Sequence, residues 1–435
     1  MKSIANFVKV DEKDFSESVN AFLPQSVVVP VNHISHNKYK CVISVGDTVR
    51  EGQLLAVPVK ADNHVDSAIN SPLPGTVVEE LHCMLPDGRI GEAVKIKFSG
   101  SFSYTGKKFV PVDWKLYSDE EILKLMLSKG VVNTFNGEQS LVEQILTCKI
   151  KNGRYLVVRM YDEDPSRMTD YFVASCFTRE VLEGAAIIAR VLKAHGIIFL
   201  LPKKGGVTIN NDVVRDYAVL NVDVDTKKYP CGFVQTIIPL VKKFAKNTQM
   251  GLFEDINAKS IFVDPETLYS VYEAVVLGKP VTERFIHVSG ESLTSSGVFR
   301  VKIGTSVENL AVQCGGFNAM PAKIVLNGMI VGTEVDDSEV PITKSVKSVM
   351  FVPKSKLYNQ AYAPCIRCGK CRRICPEQLY PDLMSYPVLY KEGIDASLAA
   401  AMQLCSQCGL CNSVCPSRIP LSQIIHFIRE EKNEN

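Results

Sequence analysis

The sequence predicts a multidomain α+β chain: two β-rich regions, an α/β region with a parallel sheet, and a helical C-terminal region. Three observations predict it. Residues 25–100 read as short strands broken by Gly and Pro. A strand–helix–strand succession occupies residues 154–202, and a crossover of that kind sets neighbouring strands parallel. Eight of the fourteen cysteines lie from Cys365 onward, at tight and repeated spacing. At 435 residues the chain is also too long for one ordinary core.

Composition sets outer limits. Apolar residues make up 46% of the chain and charged residues 22%, as in a folded globular protein. The formal net charge is +2 and no long Lys/Arg block stands out, which argues against nucleic-acid binding and against strong attraction to an anionic membrane. Residues 1–15 alternate apolar with charged side chains and lack the apolar run of a signal peptide. No window approaches the ~20 apolar residues of a membrane span. A cytoplasmic protein is expected, with any membrane contact made through a partner. Cys41, Cys83, Cys148, Cys176, Cys231 and Cys314 are scattered and are expected to be buried small apolar side chains. Histidines 33, 36, 64, 82, 195, 287 and 426 show no metal-ligand spacing beyond His33/His36 and are assigned to surface or packing roles.

The first β-rich region carries VGDTVREGQLLAVP (45–58) and SPLPGTVVEE (71–80). Gly46–Asp47 and Gly52 mark turns, while Val49, Leu54 and Ala56 alternate into a core. The pattern resembles the barrel-sandwich fold of lipoyl and biotinyl carriers. A carrier needs a lysine at an exposed hairpin tip. Asp66 holds that place and Lys60 is displaced from it, so a structural β-domain is predicted. Further on, RYLVVRM (154–160) reads as a strand. Residues 178–196 read as a helix, with Leu182, Ala185, Ala186 and Ala189 on one face and Gly196 as its stop. IIFLLP (197–202) and VLNVDVD (219–225) add strands. Residues 283–335 return to β-rich sequence with one helix between strands, as in a small ubiquitin-like fold. The tail LSQIIHFIREEK places Leu421, Ile424, Ile425 and Ile428 on one helical face, for packing against the last domain.

The chemistry lies in two runs. CIRCGKCRRICP contains Cys365, Cys368, Cys371 and Cys375 followed by Pro376; CSQCGLCNSVCP contains Cys405, Cys408, Cys411 and Cys415 followed by Pro416. Three thiolates at three-residue steps wrap one corner of an iron–sulfur cube, and the fourth ligates the opposite cluster. Two [4Fe–4S] clusters are therefore predicted, one on Cys365, Cys368, Cys371 and Cys415, the other on Cys405, Cys408, Cys411 and Cys375. Gly369 and Gly409 let the backbone turn and present amides to the cluster sulfurs. Structural zinc is the competing reading, but it pairs two short Cys-x-x-Cys steps across a long spacer. Three successive steps crowd a single tetrahedral ion.

Both runs, their order behind the sandwich and α/β regions, and the segments KYPCG (228–232), GKPVTERFIHVSGES (278–292) and FRVKIGTSV (299–307) resemble the RnfC family, a component of the Rnf ion-translocating electron-transport complex. The related cobalamin reductase of propanediol microcompartments shares the pattern. The resemblance covers nearly the whole chain. It implies a division into a barrel-sandwich β-domain (1–112), an α/β domain similar to the flavin- and NADH-binding subunit of complex I (113–282), a ubiquitin-like β-grasp domain (283–350) and a two-cluster ferredoxin-like helical domain (351–435).

The same resemblance implies FMN and NAD(H) in the α/β domain, on residues that can be checked one at a time. The family's Gly-Gly-Ala-Gly-Phe-Pro-Thr phosphate loop corresponds to KGVVNTFNGEQS (129–140), where only Gly130 and Gly137 remain. The family's Glu-x-Glu-Pro stretch with its following Asp corresponds to Asp162, Asp164, Pro165 and Asp170; the alternative for these carboxylates is a solvated loop. The Gly-Gly-Glu-Lys after Tyr-Pro corresponds to CGFVQ (231–235), without the Glu or the Lys. Side chains at Gly positions block a phosphate's approach to backbone amides, so weak or absent FMN binding and slow NADH oxidation are predicted.

The leading expectation is a peripheral subunit on the cytoplasmic side of the cell membrane, held by the other Rnf subunits. It would pass electrons between NAD(H) and ferredoxin while the complex moves ions. The alternatives are a soluble cobalamin-reductase-like enzyme and a non-catalytic electron wire whose flavin site has decayed.

Overall fold

The computed structural model describes residues 19–31, 39–59, 65–150, 155–357, 361–390 and 393–433. Lys60, His33, His36 and His64 lie outside the described residues. Two antiparallel sheets make the first β-domain. One runs in the order Ser26–Pro30, Ile90–Phe98, Gly75–Met84, Thr48–Val49; the other in the order Tyr39–Cys41, Leu54–Pro58, Ile69–Asn70. Alternating Val27, Val29, Val77, Val94 and Ile96 fill the space between them with Leu55 and Leu73. Gly52, at φ +80°, cannot be replaced without a clash: a Cβ there would sit 2.6 Å from the Tyr104 ring and 2.7 Å from Pro280. Asp66 is buried rather than standing at an exposed tip.

The α/β domain holds a four-stranded, wholly parallel sheet in the order Val219–Val224, Gly196–Pro202, Tyr155–Arg159, Ile261–Val263. The expected strand–helix–strand unit is present, with one change at the helix end. The helix Thr178–Leu192 stops on Lys193 in the left-handed region (φ +54°), and Gly196 opens the next strand instead. Gly196 is demanded there by packing, because a Cβ would lie 2.5 Å from the Phe253 ring. Helices Thr178–Leu192 and Pro265–Val276 pack against each other over one face of the sheet, and the backbones touch at Gly184.

The third domain is a sheet in the order Val19–Asn20, Gly297–Lys302, Glu283–Ser289, Ser348–Pro353, Pro321–Leu326, Thr333–Val335, with the helix Val307–Gln313. Glu283–Ser289 and Ser348–Pro353 are parallel at its centre; the strand pairs flanking them are antiparallel. Val19–Asn20 crosses from the N-terminal region to form its edge. Short helices make the last region: Lys370–Ile374, Pro381–Met384, Tyr386–Tyr390, Ala396–Gln403, Leu410–Ser413 and Leu421–Asn433. As the tail's pattern predicts, Leu421, Ile425 and Ile428 are buried there.

Buried polar contacts join the domains. Lys302 Nζ meets Glu51 Oε1 at 2.7 Å, and Lys344 Nζ donates to the carbonyls of Ala68 (3.2 Å) and Gly130 (2.8 Å). Burial lowers the Lys344 ammonium to about 8. The scattered cysteines are less uniform than expected. Cys148 and Cys314 are buried, Cys41, Cys83 and Cys231 are half-buried, and Cys176 is exposed. None of these six sits at a repeated ligand spacing that would impose one environment.

Candidate iron–sulfur site and the altered nucleotide loop

The two cysteine runs fold alike. In each, the second residue after the first cysteine is left-handed: Arg367 at φ +53° and Gln407 at +57°. Gly369 (+67°) and Gly409 (+70°) then start the short helices Lys370–Ile374 and Leu410–Ser413. The left-handed residue turns its amide back onto sulfur. Arg367 N lies 3.4 Å from Cys365 Sγ, and Gln407 N lies 3.4 Å from Cys405 Sγ. Leu379 N reaches Cys375 Sγ at the same distance. Amides aimed at thiolate sulfur stabilise its charge and tune a cluster's potential.

The fourth cysteine of the first run crosses to the second. Cys375, Cys405, Cys408 and Cys411 line one cavity, closed by Leu379, Met384 and Ile425. On the other side Cys371 is buried against Ile419 and Leu421, with Cys365, Cys411 and Cys415 half-buried beside them. Cys368 is half-buried, and its carbonyl accepts from Arg373 at 3.4 Å. Burial raises the thiols of Cys371, Cys405 and Cys411 and pushes Cys408 up to about 11. Thiols held neutral in this way are not nucleophiles; they become ligands by losing protons to a metal. Among the described residues, no three His, Cys, Asp or Glu side chains close on a single ion. An all-sulfur donor set spread around a cavity, with amides on the sulfurs, fits a cubane cluster.

The two runs differ in what surrounds them. The second docks on the α/β domain: Tyr229, Phe233, Cys408 and Leu410 share a buried apolar cluster with Ile330 and Val331. A Cβ on Gly409 would lie 2.9 Å from the Ile330 carbonyl, so this close approach needs glycine as well as the turn does. Gly369 meets nothing nearer than the Arg373 side chain at 3.9 Å.

The three segments matched to a nucleotide site also converge, on Arg159. Its guanidinium is fully buried, stacks 4.2 Å from the Phe135 ring, and donates to the Gly232 carbonyl (2.8 Å) and to Glu163 (2.9 Å). Gly130 and Gly137 serve other ends. Gly130 follows the helix Asp119–Ser128, with its carbonyl on Lys344, and Gly137 turns a loop closed by the Asn133–Gln139 bridge. Several of the loop's amides are already engaged: Val131 N to Met126 O, Asn133 N to Gln139 O, Thr134 N to Thr267 Oγ1 and Phe135 N to Asn133 Oδ1. A phosphate cradle needs free amides. This loop does not fit FMN.

Asp162, Asp164 and Asp170 are neither ligands aimed at a cleft nor a solvated loop. All three side chains are buried inside protein networks. Asp164 accepts from the amides of Ile330 (2.8 Å) and Val331 (3.0 Å), and Asp170 pairs with Lys347 at 2.7 Å. Asp162 accepts from the amides of Asp170 and Tyr171; burial, then the nearby Asp170, raise it to about 6. A cleft of about 750 Å³ does open beside the loop, lined among others by Asn133, Phe135, Gln139, Glu143 and Lys259.

Residues 361–419 match a family of 4Fe-4S dicluster domains, and residues 10–100 match the RnfC barrel sandwich hybrid domain. The C component of the ion-translocating oxidoreductase complex of Buchnera aphidicola subsp. Acyrthosiphon pisum is 24% identical, over 86% of this chain and 77% of that one. The chain is similar to RnfC-type components at both ends of its sequence. A second relative is the C component of the proton-translocating ferredoxin:NAD(+) oxidoreductase complex of Clostridium ljungdahlii, 25% identical over 83% of this chain and 78% of that one. Among solved structures, a chain of NAD+-reducing [NiFe]-hydrogenase in the air-oxidized state aligns with a TM-score of 0.45 at 13% identity, covering 73% of this chain and 63% of that one. The two cysteine runs lie within the matched 4Fe-4S dicluster domain, which makes this an iron–sulfur chain with two [4Fe–4S] clusters.

Sequence reasoning missed Tyr229, Phe233 and Lys347. Lys347 sits in the apolar stretch SVKSVMFV, and a lysine inside a buried strand entry signals an acidic partner elsewhere.

Proposed function

We propose that this chain is the peripheral iron–sulfur subunit of an Rnf-type ion-translocating complex and relays electrons between the complex's NAD(H) and ferredoxin ends. One cluster site is built from Cys365, Cys368, Cys371 and Cys415, the other from Cys405, Cys408, Cys411 and Cys375. The observation that carries this reading is the single cavity walled by Cys375 and the three leading cysteines of the second run. A bound cluster supplies one-electron transfer with no bond made or broken. The protein's share is placement: left-handed residues turn amides onto sulfur, and Leu379, Met384 and Ile425 keep water from the second site. Exchange of the fourth ligand holds the two sites close, which suits a wire.

The engaged amides of Val131, Asn133, Thr134 and Phe135 and the buried Arg159 favour a relay without its own flavin over a complete NADH dehydrogenase. Electrons then enter and leave through partner subunits. The four-domain division is part of this reading, with Val19–Asn20 joining the third sheet and Ser348–Pro353 running past residue 350; a central parallel pair with an antiparallel strand on either side supports a ubiquitin-like third domain. No described helix is long and apolar enough to cross a membrane; attachment to the cytoplasmic face is assigned to partner subunits.

The test is Cys375→Ala in the anaerobically purified chain. Iron and sulfide, about eight of each for two cubanes, should fall by about half, and the spectrum lost should be that of the second-run cluster. Loss confined to the cluster on Cys365, Cys368 and Cys371 refutes the ligand exchange, and stoichiometric zinc in place of iron refutes the clusters.

A further inference from the structure

We propose that the face around the first cysteine run, built from Tyr362, Ile366, Arg367, Lys370 and Arg373, is the docking surface for an acidic iron–sulfur carrier protein. The inference rests on the relay function proposed above and assigns the direction in which each half of the cluster domain looks. The two runs share spacing, left-handed residues and short helices, so differences between them are not demanded by cluster binding. Between its cysteines the first run places Ile366, Arg367, Gly369, Lys370, Arg372, Arg373 and Ile374, and the second Ser406, Gln407, Gly409, Leu410, Asn412, Ser413 and Val414. The first therefore carries four cations and the second no charge.

Burial accounts for the apolar residue that stands in the second run where the first has Lys370. Cys408, Gly409 and Leu410 are buried against Tyr229, Phe233, Ile330 and Val331, where a cation would lose its water. The charged run faces outward. Arg367, Lys370 and Arg373 are exposed, Ile366 is 67% exposed and Tyr362 61% exposed. Arg372 is neutralised by Asp382 at 2.6 Å, but no carboxylate among the described residues pairs with Arg367, Lys370 or Arg373. Two exposed apolar side chains and three exposed cations without a carboxylate partner among the described residues, all on the segment 362–373 that carries Cys365, Cys368 and Cys371, have the make-up of a transient redox interface: charge steers the partner and the apolar side chains seat it. The complementary partner is acidic. One electron leaves the carrier, which is oxidised, and arrives at the first cluster site, which is reduced; no proton or bond is involved.

The experiment uses the full chain loaded anaerobically and, as probe, a small acidic two-cluster ferredoxin. The triple variant Arg367→Gln, Lys370→Gln, Arg373→Gln is compared with wild type and with Lys242→Gln, Lys243→Gln, which removes two exposed cations from the α/β domain. Stopped-flow reduction by the reduced ferredoxin should be at least about tenfold slower in the triple variant at low salt, with a flatter dependence on ionic strength. Equilibrium affinity for the oxidised ferredoxin should weaken in parallel. The control pair should behave as wild type, and excess dithionite should reduce every variant to the same extent. Equal ferredoxin rates and affinities in the triple variant and wild type overturn the docking face. So does wild-type flotation with phosphatidylglycerol vesicles that the triple variant loses while its ferredoxin rate stays unchanged, because the cations then serve a membrane. Failure of the relay reading looks different: neither ferredoxin nor dithionite reduces the wild-type clusters.

Discussion

The Tyr229 hydroxyl donates to the Cys408 carbonyl at 2.6 Å, across 179 positions of sequence, and so ties the second cysteine loop to the α/β domain. Both groups are buried. Tyr229→Phe leaves that carbonyl without its partner at a cost of about 1–3 kcal/mol. The expected outcome is faster loss of iron from the second-run cluster under a chelator, with the first-run cluster retained longer. Equal loss from both sites refutes a specific tie.

Flavin binding should be weak or absent. Equilibrium titration of the cluster-loaded chain with FMN should show no stoichiometric uptake, and mixing with NADH should reduce the clusters slowly. Tight one-to-one flavin with rapid reduction would show that amides engaged in the structure can be released, and would restore an NADH-oxidising role.

Lys347 lies between Asp170 (2.7 Å) and Asp264 (2.9 Å), all three buried. Its ammonium holds the Asp264 carboxyl well below the usual carboxylate range against the opposing effect of burial. Lys347→Met strands two carboxylates in the interior and should destabilise by about 3–5 kcal/mol, read as a lower urea midpoint. Adding Asp170→Asn should recover part of the loss. A midpoint unchanged by Lys347→Met is the contrary result.

His287 is buried with both ring nitrogens unpartnered, and desolvation lowers it to about 4. Between pH 6.5 and 4 the unfolded chain takes the proton and the folded one refuses it, so stability falls as pH falls, by about 3 kcal/mol across the interval. Asp162 and Glu266, raised by burial to about 6 and about 7, act in the opposite sense over part of that range. The difference between His287→Phe and wild type isolates the histidine. The variant's advantage should grow as pH drops from 6.5 to 4, and a constant difference contradicts the assignment.

The dicluster domain was legible because the chemistry is local: three-residue steps repeat within each run. The parallel sheet was legible from 154–202 for a similar reason, since apolar strands alternate there with an amphipathic helix. The helix stop was misread because Lys193 takes a left-handed turn that glycine ordinarily takes, while Gly196 answers to Phe253. Asp162, Asp164 and Asp170 matched a family register, yet their roles are set elsewhere. Asp164 meets the amides of Ile330 and Val331, and Asp170 meets Lys347. No periodicity reports contacts more than 150 residues apart.

The proposed crossing over of Cys375 and Cys415 also governs how the domain is filled. A first inorganic core captured by one loop would draw in the turn that follows the other, leaving the second vacancy already shaped. Assembly is then cooperative. Under iron shortage the population should divide into molecules that are full and molecules that are empty, with few carrying a single core.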